Sequence, residues 1–232
     1  CMLAMMFLGL HVATAVFATA ALGAVVYLGL PTLWSFGGVA WGALNDFLLA
    51  AIPLYVLLGE ILVRSGLTER MYDALSSWLT RLPGGLLHTN VVSSGMFAAV
   101  SGSSVATAAT IGTVALPSLE KRGYGERLAL GSIAAGATLG ILIPPSINLI
   151  IYGAITNTSI GKLFMAGLIP GLLLCGLFMV IIAILTRLYP SIAGTPAPTP
   201  PLRERIAALG ELLPPLVIFL LVMGSIYFGW AT

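Results

Sequence analysis

The sequence predicts an all-α integral membrane protein, a multi-span helical bundle with one re-entrant helical hairpin and one broken transmembrane helix. Three observations lead to this prediction. Of the 232 residues, 59% are hydrophobic and only 8% are charged, with a mean hydropathy of +1.06, outside the usual range of soluble domains. Long charge-free stretches recur along the chain. Two of these stretches are interrupted near their midpoints by residues that form turns or break helices.

The charge-free stretches are long enough to cross a hydrocarbon core of about 30 Å, which takes about 20 helical residues. Five of them cover residues 1–45, 82–119, 128–161, 163–186 and 212–232, and a sixth hydrophobic region lies around 47–63. The net charge of +2 is too small to indicate a nucleic-acid partner. Two cysteines are too few for a disulfide framework or a metal site. The lipid bilayer is therefore the predicted surroundings of the chain.

The segment 86–119 could be one crossing helix or a hairpin that enters and leaves on the same face, and the charges distinguish these alternatives. With a hairpin, nine of the ten basic residues share one side and only Lys162 lies opposite, whereas a crossing helix gives six to four. The positive-inside rule favours the hairpin and places the nine in the cytoplasm. The sequence Pro83-Gly84-Gly85 precedes the segment. Ser101-Gly102-Ser103-Ser104 divides it into arms of about 15 residues, roughly 22 Å each, too short to span.

The remaining regions are assigned from hydrophobic periodicity and turn residues. In chain order we expect a first crossing helix at 2–30, a connection at 31–45, a second crossing helix at 47–63, an amphipathic helix on the cytoplasmic surface from Leu67 to Leu82, a broken helix at 128–156, a helix at 163–186, a Pro-rich cytoplasmic linker (PSIAGTPAPTPP), and a last helix from 212 to 230. These regions group into three parts: 1–82 with the amphipathic arm, 83–162 with the hairpin and the broken helix, and 163–232 with two further transmembrane helices.

The broken helix carries two adjacent prolines, Pro144-Pro145, at its centre. Neither proline can donate a hydrogen bond, so the carbonyls of Gly140 and Ile141 lose their helical partners. Unpaired backbone groups at membrane depth cost several kcal/mol each unless something satisfies them. With the hydroxyls of Ser146 and Thr138 nearby, the freed carbonyls form an oxygen-only set that suits a hard monovalent cation. The half-helix that follows points its positive N-terminal end at the same place, which suits an anionic substrate group.

Each of these features also has a purely structural explanation. The double proline could be a plain kink filled by a neighbouring side chain or water. The small residues of the hairpin could serve helix packing, although packing explains its alanines better than three serines around a glycine. An intramembrane protease with His88 as the base for Ser103 is disfavoured, because no nucleophile elbow surrounds the serine and about 20 Å of helix separates the two residues. The chain is therefore not predicted to be an enzyme.

Six motifs carry a resemblance to a known family: AIPLYVLLGEIL, LPGG, FAAVSGSSVATAATIG, ALPSLEKRGY, IPPSINLIIYG and SIGKLFMAGLIPGLLL. From about Asp46 to Thr232 the chain resembles the large membrane subunit of the TRAP (tripartite ATP-independent periplasmic) transporters. The resemblance implies an elevator-type secondary transporter of the bacterial inner membrane, in which Na⁺ gradients drive the uptake of organic acids and no organic cofactor takes part. It also implies two partners, a periplasmic substrate-binding protein and a small four-helix membrane subunit.

The resemblance further implies that the hairpin tip and the broken helix bind Na⁺ beside the substrate. The predicted cation-binding residues are Ser101, Gly102, Ser103, Ser104, Gly140, Ile141, Pro144, Pro145 and Ser146. The predicted substrate-binding residues are Ser103, Ser104, Ser146 and Asn148. The family's large subunit has two inverted repeats, each with one hairpin and one broken helix, whereas this sequence has one of each. It is therefore interpreted as the N-terminal half, with the C-terminal half as a further partner.

Two other functions remain as alternatives. A divalent-anion/Na⁺ symporter that works without a binding protein would share this architecture, but the Ser-Asn-Thr signature usual in the hairpin of such proteins is not present. A structural or assembly half-protein with no transport of its own is the second alternative. Na⁺ binding by the purified chain would argue against the latter, and transport without any periplasmic protein would favour the former.

Overall fold

In the computed structural model, the described residues are 2–45, 47–195 and 200–230. They form twelve α-helices and no strand, which confirms the all-α prediction. The helices are α1 Met2–Phe7, α2 Val12–Leu28, α3 Thr32–Leu44, α4 Ala51–Arg64, α5 Leu67–Leu79, α6 Leu86–Ser101, α7 Ser104–Lys121, α8 Glu126–Leu142, α9 Ile147–Thr156, α10 Ile160–Leu188, α11 Leu202–Ala208 and α12 Leu213–Tyr227. Asp46, where the family resemblance begins, and residues 196–199 of the Pro-rich linker lie outside the described residues.

The chain divides into two compact units, Cys1–Phe47 and Leu48–Thr232. The first unit contains α1, α2 and α3. The prediction of one crossing helix at 2–30 is wrong, because the chain leaves α1 through Gly9, whose φ of +83° is a left-handed conformation that glycine adopts readily. The prediction of a connection at 31–45 is also wrong, since α3 occupies it. Pro31 precedes α3 directly, and proline is well tolerated at a helix start.

Four helical segments of the described chain are long and apolar enough to cross a membrane. They are Phe47–Arg64, Glu126–Thr156, Ile160–Leu188 and Leu202–Tyr227. All four match regions that the sequence predicts to cross, so the chain is a multi-pass membrane protein. The domain boundaries predicted at residues 82 and 162 stay a prediction.

The predicted hairpin is an antiparallel pair of helices, α6 and α7, joined at Gly102-Ser103. Its open end is closed by a hydrogen bond in which the Leu86 N–H donates to the Tyr124 hydroxyl at 3.2 Å, so the beginning of α6 and the end of α7 lie together. The first arm is the centre of the second unit. It packs against α4, α5, α7, α8, α10 and α12, and most of its residues are buried.

The predicted amphipathic helix is present as α5, and its apolar face is covered by protein. Met71 and Leu75 pack in one hydrophobic cluster with Leu86, Leu87 and Val91 of α6. The sequence pattern correctly predicts the apolar face, but this face contacts the hairpin instead of lying on the membrane surface.

The chain after α10 is attached to the open end of the hairpin. Gly125 N–H donates to the Ile192 carbonyl at 3.2 Å, and Thr195 N–H donates to the Arg122 carbonyl at 2.9 Å. Further on, the buried guanidinium of Arg205 stacks on Trp78 of α5, 4.2 Å from the ring centre. The segment predicted as a plain linker therefore docks, in its described part, on the loop between α7 and α8.

The predicted broken helix is confirmed as α8 and α9, with Ile143–Ser146 between them. All four residues of the break are buried. Helix α10 crosses the break through two glycines one turn apart. A Cβ atom on Gly167 would lie 2.5 Å from the Leu142 carbonyl oxygen, and one on Gly171 would lie 2.9 Å from the Ile143 side chain. Helix α10 can approach the break this closely only because neither position carries a side chain.

Candidate functional site

The hairpin tip and the break in the helix are in direct contact. The Ile147 N–H, at the start of α9, donates a hydrogen bond to the Gly102 carbonyl at 3.1 Å. Gly102 has a φ of +64°, and a Cβ atom there would lie 2.7 Å from the Pro145 carbonyl oxygen. The turn between α6 and α7 therefore needs glycine for its conformation and for the space it leaves.

Two further glycines bring neighbouring helices against the tip. A Cβ atom on Gly140, near the end of α8, would lie 3.1 Å from the Ser104 nitrogen. A Cβ atom on Gly59 of α4 would lie 3.1 Å from the Ser101 Cβ. The tip is therefore enclosed between α4 and the broken helix. Gly59 was not among the predicted site residues, since nothing in the local pattern of α4 links it to a residue 42 positions away.

The hydroxyls of the tip form a small network. Ser103 caps α7, because its hydroxyl oxygen accepts from the Ala106 N–H at 3.3 Å. The Thr107 hydroxyl donates to the Ser103 carbonyl at 2.7 Å and lies 3.4 Å from the Ser101 hydroxyl. Thr107 is fully buried and was not among the predicted site residues. Its place four residues after Ser103, on the same helix face, was the available signal.

The two carbonyls that the prolines release differ in their surroundings. The Ile141 carbonyl accepts a hydrogen bond from the Ser146 hydroxyl at 2.8 Å, so it is not free as the sequence suggested. A carbonyl oxygen has two lone pairs, and this bond leaves one of them available. The Gly140 carbonyl accepts no hydrogen bond from any described residue. It therefore has both lone pairs available at the position where α8 meets the tip.

The other predicted residues differ in their distance from this contact. Ser104 begins α7 at the tip and is half-buried. Asn148 lies in the first turn of α9 and is exposed. The Thr138 hydroxyl is not part of the cluster, because it donates to the Ala135 carbonyl within α8 at 2.6 Å on an exposed face.

The histidine of the hairpin is far from the tip. His88 Nε2 lies 2.7 Å from the Pro83 carbonyl oxygen, at the open end of the hairpin. The 15 positions between His88 and Ser103 correspond to about 22 Å of helix. The two side chains therefore cannot act as a base and nucleophile pair. In the same part of α6, Asn90 hydrogen-bonds to α5 and α8 and is a structural contact between helices.

The site as a whole is a set of buried and half-buried residues with neutral oxygen atoms, at a break in a membrane helix. It contains serine and threonine hydroxyls and one unpaired backbone carbonyl. Backbone with free polar groups is tolerated at such depth where it lines a cavity or meets a polar partner. Helices α7 and α9 also both begin here, so the positive ends of two helix dipoles point at the site. Such an arrangement can hold a small cation beside an anion.

The sequence matches a protein family along its length. The family model described as "Tripartite ATP-independent periplasmic transporter, DctM component" covers residues 1–232. Two similar proteins are the C4-dicarboxylate TRAP transporter large permease protein of Pseudomonas aeruginosa, with 39% identity over 80% of this chain, and the sialic acid TRAP transporter large permease protein of Vibrio cholerae, with 36% identity over 81%. A third is the ectoine TRAP transporter large permease protein of Halomonas elongata, with 36% identity over 78% of this chain.

This chain spans less than half the length of these relatives, 43%, 43% and 42% respectively. The matched region is the N-terminal part of the relatives. These relatives are named as transporter permeases, which confirms the prediction that the chain is not an enzyme. Because the family match extends over all 232 residues and the identity to named permeases is well above 30%, the chain belongs to the tripartite ATP-independent periplasmic (TRAP) transporter family.

Proposed function

We propose that this chain is part of the large permease subunit of a Na⁺-coupled transporter that imports small organic acids. The observation that supports this proposal most strongly is the contact between the hairpin tip and the helix break at Gly102 and Ile147. This contact brings the tip, with its serine hydroxyls, next to the end of α8, which carries an unpaired carbonyl at Gly140. A hard monovalent cation prefers such neutral oxygen ligands, and unwound backbone is a common source of them in transporters.

In this proposal Na⁺ binds between the tip and the end of α8. The Gly140 carbonyl is the best candidate ligand, because it has no hydrogen-bond partner among the described residues. The hydroxyls of Ser101, Ser103 and Ser146 supply further oxygens. Pro144-Pro145 serve the site by keeping the end of α8 from closing its hydrogen bonds.

The substrate is proposed to lie next to the cation, at the N-terminal ends of α7 and α9. A carboxylate there would meet the positive ends of both helices. The candidate contacts are Ser103, Ser104, Ser146 and Asn148. Two relatives are named for C4-dicarboxylate and for sialic acid, which supports an organic acid as the substrate class.

The remaining parts of the proposal concern the assembly and its movement. We propose that a periplasmic binding protein delivers the substrate, that a small four-helix membrane subunit supports the permease, and that a second repeat completes the site. The substrate would cross by an elevator movement in the bacterial inner membrane. The hairpin would be re-entrant from the cytoplasmic side, where most charged loops lie.

The proposed function is tested by measuring uptake into proteoliposomes that contain the complete large subunit, the small subunit and the binding protein. Uptake should rise with external Na⁺ and should not be supported by K⁺. Leaving out the binding protein should abolish uptake. Uptake that persists without it would identify a symporter that works alone, and the absence of Na⁺ dependence would contradict ion coupling.

We expect Ser103→Ala and Ser146→Ala to weaken Na⁺ dependence moderately. One hydroxyl contact contributes about 1 kcal/mol net, which corresponds to roughly a fivefold rise in the Na⁺ half-saturation concentration. The measurement is uptake against Na⁺ concentration at saturating substrate. Thr138→Ala is the matched control, because its hydroxyl is exposed and bonds only within α8. An equal effect of all three substitutions would place the cation elsewhere.

We expect cysteines at Lys121 and Lys162 to be labelled from opposite sides of the membrane. Both lysines are exposed, one at the end of α7 and the other near the start of α10. A membrane-impermeant maleimide, applied to spheroplasts and to inverted vesicles in a background without native cysteines, reports the side. Position 121 should react from the cytoplasm and position 162 from the periplasm. Labelling of both from one side would contradict a membrane crossing by α8 and α9, which lie between the two positions.

A further inference from the structure

Helices α6 and α8 run parallel to each other in a constant register. Asn90 hydrogen-bonds to Ser132, a difference of 42 in residue number. One turn further, the Ser94 Cβ lies 2.9 Å from the position of a Cβ on Gly136, also a difference of 42. At the tip, Gly102 meets Pro145, a difference of 43. The axial position of one helix against the other therefore decides whether the tip reaches the break.

A buried hydrogen-bond chain holds this register at the other end of the pair. The Tyr72 hydroxyl of α5 donates to Asn90 Oδ1 at 2.7 Å, and Asn90 Nδ2 donates to the Ser132 hydroxyl at 2.8 Å. Ser132 in turn donates to the Ala129 carbonyl at 2.8 Å. Burial raises the pKa of Tyr72, so its hydroxyl stays protonated and acts as the donor. The hydrogen bonds therefore link the three helices in one order: α5 donates to α6, and α6 donates to α8.

The bond from Asn90 to Ser132 is the only side-chain to side-chain hydrogen bond between α6 and α8 among the described residues. Other contacts between the two helices along their shared length involve small or apolar residues, such as Gly136 against Ser94 and Leu139 against Gly95. Such contacts tolerate sliding, whereas a buried amide bonded to one partner does not. A single buried asparagine fixes the register of helix pairs in coiled coils for the same reason.

We propose that Asn90 is a positioning residue whose bond to Ser132 sets the register in which Gly102 meets Pro145 and Ile147. It acts from a distance, because the 11 residues from Asn90 to Ser101 correspond to about 16 Å of helix. This inference rests on the proposed function in one respect: the register determines how tightly the tip and break bind Na⁺. The role of Asn90 in setting the register of α6 against α8 does not depend on the proposed function.

The first test follows the bond between the tip and the break directly. Hydrogen exchange of the Ile147 amide is measured by mass spectrometry on the complete permease in lipid nanodiscs, without Na⁺ or substrate. Ser132→Ala and Asn90→Ala should accelerate this exchange. Tyr72→Phe is the matched control, because it leaves Asn90 Oδ1 unpaired but keeps the bond from Asn90 to Ser132. Its exchange at Ile147 should equal that of the wild type.

The second test measures uptake against Na⁺ concentration in the same variants. Asn90→Ala and Ser132→Ala should each raise the Na⁺ half-saturation concentration by about 2- to 30-fold. This is the range for residues that act on a site from a distance. The maximal rate at saturating Na⁺ should be retained, and the double variant should be no worse than either single one. Tyr72→Phe should stay within about twofold, since it does not touch the α6–α8 bond.

Unchanged exchange at Ile147 in Ser132→Ala and Asn90→Ala would overturn the inference. Accelerated exchange in Tyr72→Phe as well would also overturn it, because the effect would then be a general loosening of the fold. Since exchange is measured without Na⁺, it decides the register role independently. Wild-type uptake that does not depend on Na⁺ would contradict the proposed function alone.

Discussion

Replacing Pro144 and Pro145 together with alanine is expected to abolish Na⁺-dependent uptake. Each proline in a helix interior costs about 3 kcal/mol, so the double variant favours one continuous helix through the break. The carbonyls of Gly140 and Ile141 would then accept backbone hydrogen bonds. The Ile147 N–H would bond within the helix and leave the Gly102 carbonyl. The contact between the tip and the break would be lost together with the candidate ligands.

Uptake into proteoliposomes against Na⁺ concentration checks this expectation, with the amount of folded permease measured by size-exclusion chromatography. Pro117→Ala is the control, since Pro117 also lies inside a helix but on an exposed part of α7, away from the break. It should leave the Na⁺ half-saturation concentration unchanged. If the double alanine variant keeps the wild-type Na⁺ dependence, the break is a packing kink and the cation binds elsewhere.

Gly102→Ala is expected to have the second largest effect, a near-complete loss of uptake. The added Cβ would lie 2.7 Å from the Pro145 carbonyl oxygen, closer than such atoms can approach. An alanine in the left-handed conformation would cost a further amount of about 1–2 kcal/mol. The tip must therefore move away from the break, and the Ile147 N–H loses its acceptor.

Gly123→Ala separates these two contributions. Gly123 has a φ of +70°, close to that of Gly102, but no atom lies within 4 Å of a Cβ placed there. The substitution should lower the thermal stability of the permease slightly and leave uptake intact. Similar losses of uptake in both variants would mean that backbone strain, and not the contact with Pro145, explains the effect at Gly102.

Much of the second unit could be predicted from the sequence because its signals are local. The double proline, the glycine-serine turn and the apolar periodicity of α5 each act within a few residues. The first unit was predicted less well, since the effects of Gly9 and Pro31 on the helix boundaries were not recognised in the sequence. Gly9 interrupts a helix within an uninterrupted apolar stretch, whereas Pro31 begins a helix instead of a connection.

The candidate site could be predicted only in part. The serines of the tip and the carbonyl of Gly140 follow from local chemistry. Thr107 and Gly59 do not, because their relation to Ser101 and Ser103 depends on how helices pack. The bond between Ser146 and the Ile141 carbonyl depends on a side-chain rotamer. Pairings between distant segments, such as Asn90 with Ser132, leave no periodic signal in a single sequence.

The two glycines of α10 have a consequence for natural variation among permeases. Gly167 and Gly171 allow α10 to lie against the Leu142 carbonyl and Ile143, yet α10 supplies no candidate ligand. A methyl group at either position would push the end of α8, and with it the Gly140 carbonyl, relative to the hairpin. On the proposed function, ion affinity would therefore differ between homologues that share the same ligands but differ at positions 167 and 171. Sequence comparisons restricted to the ligands would miss the cause of such differences.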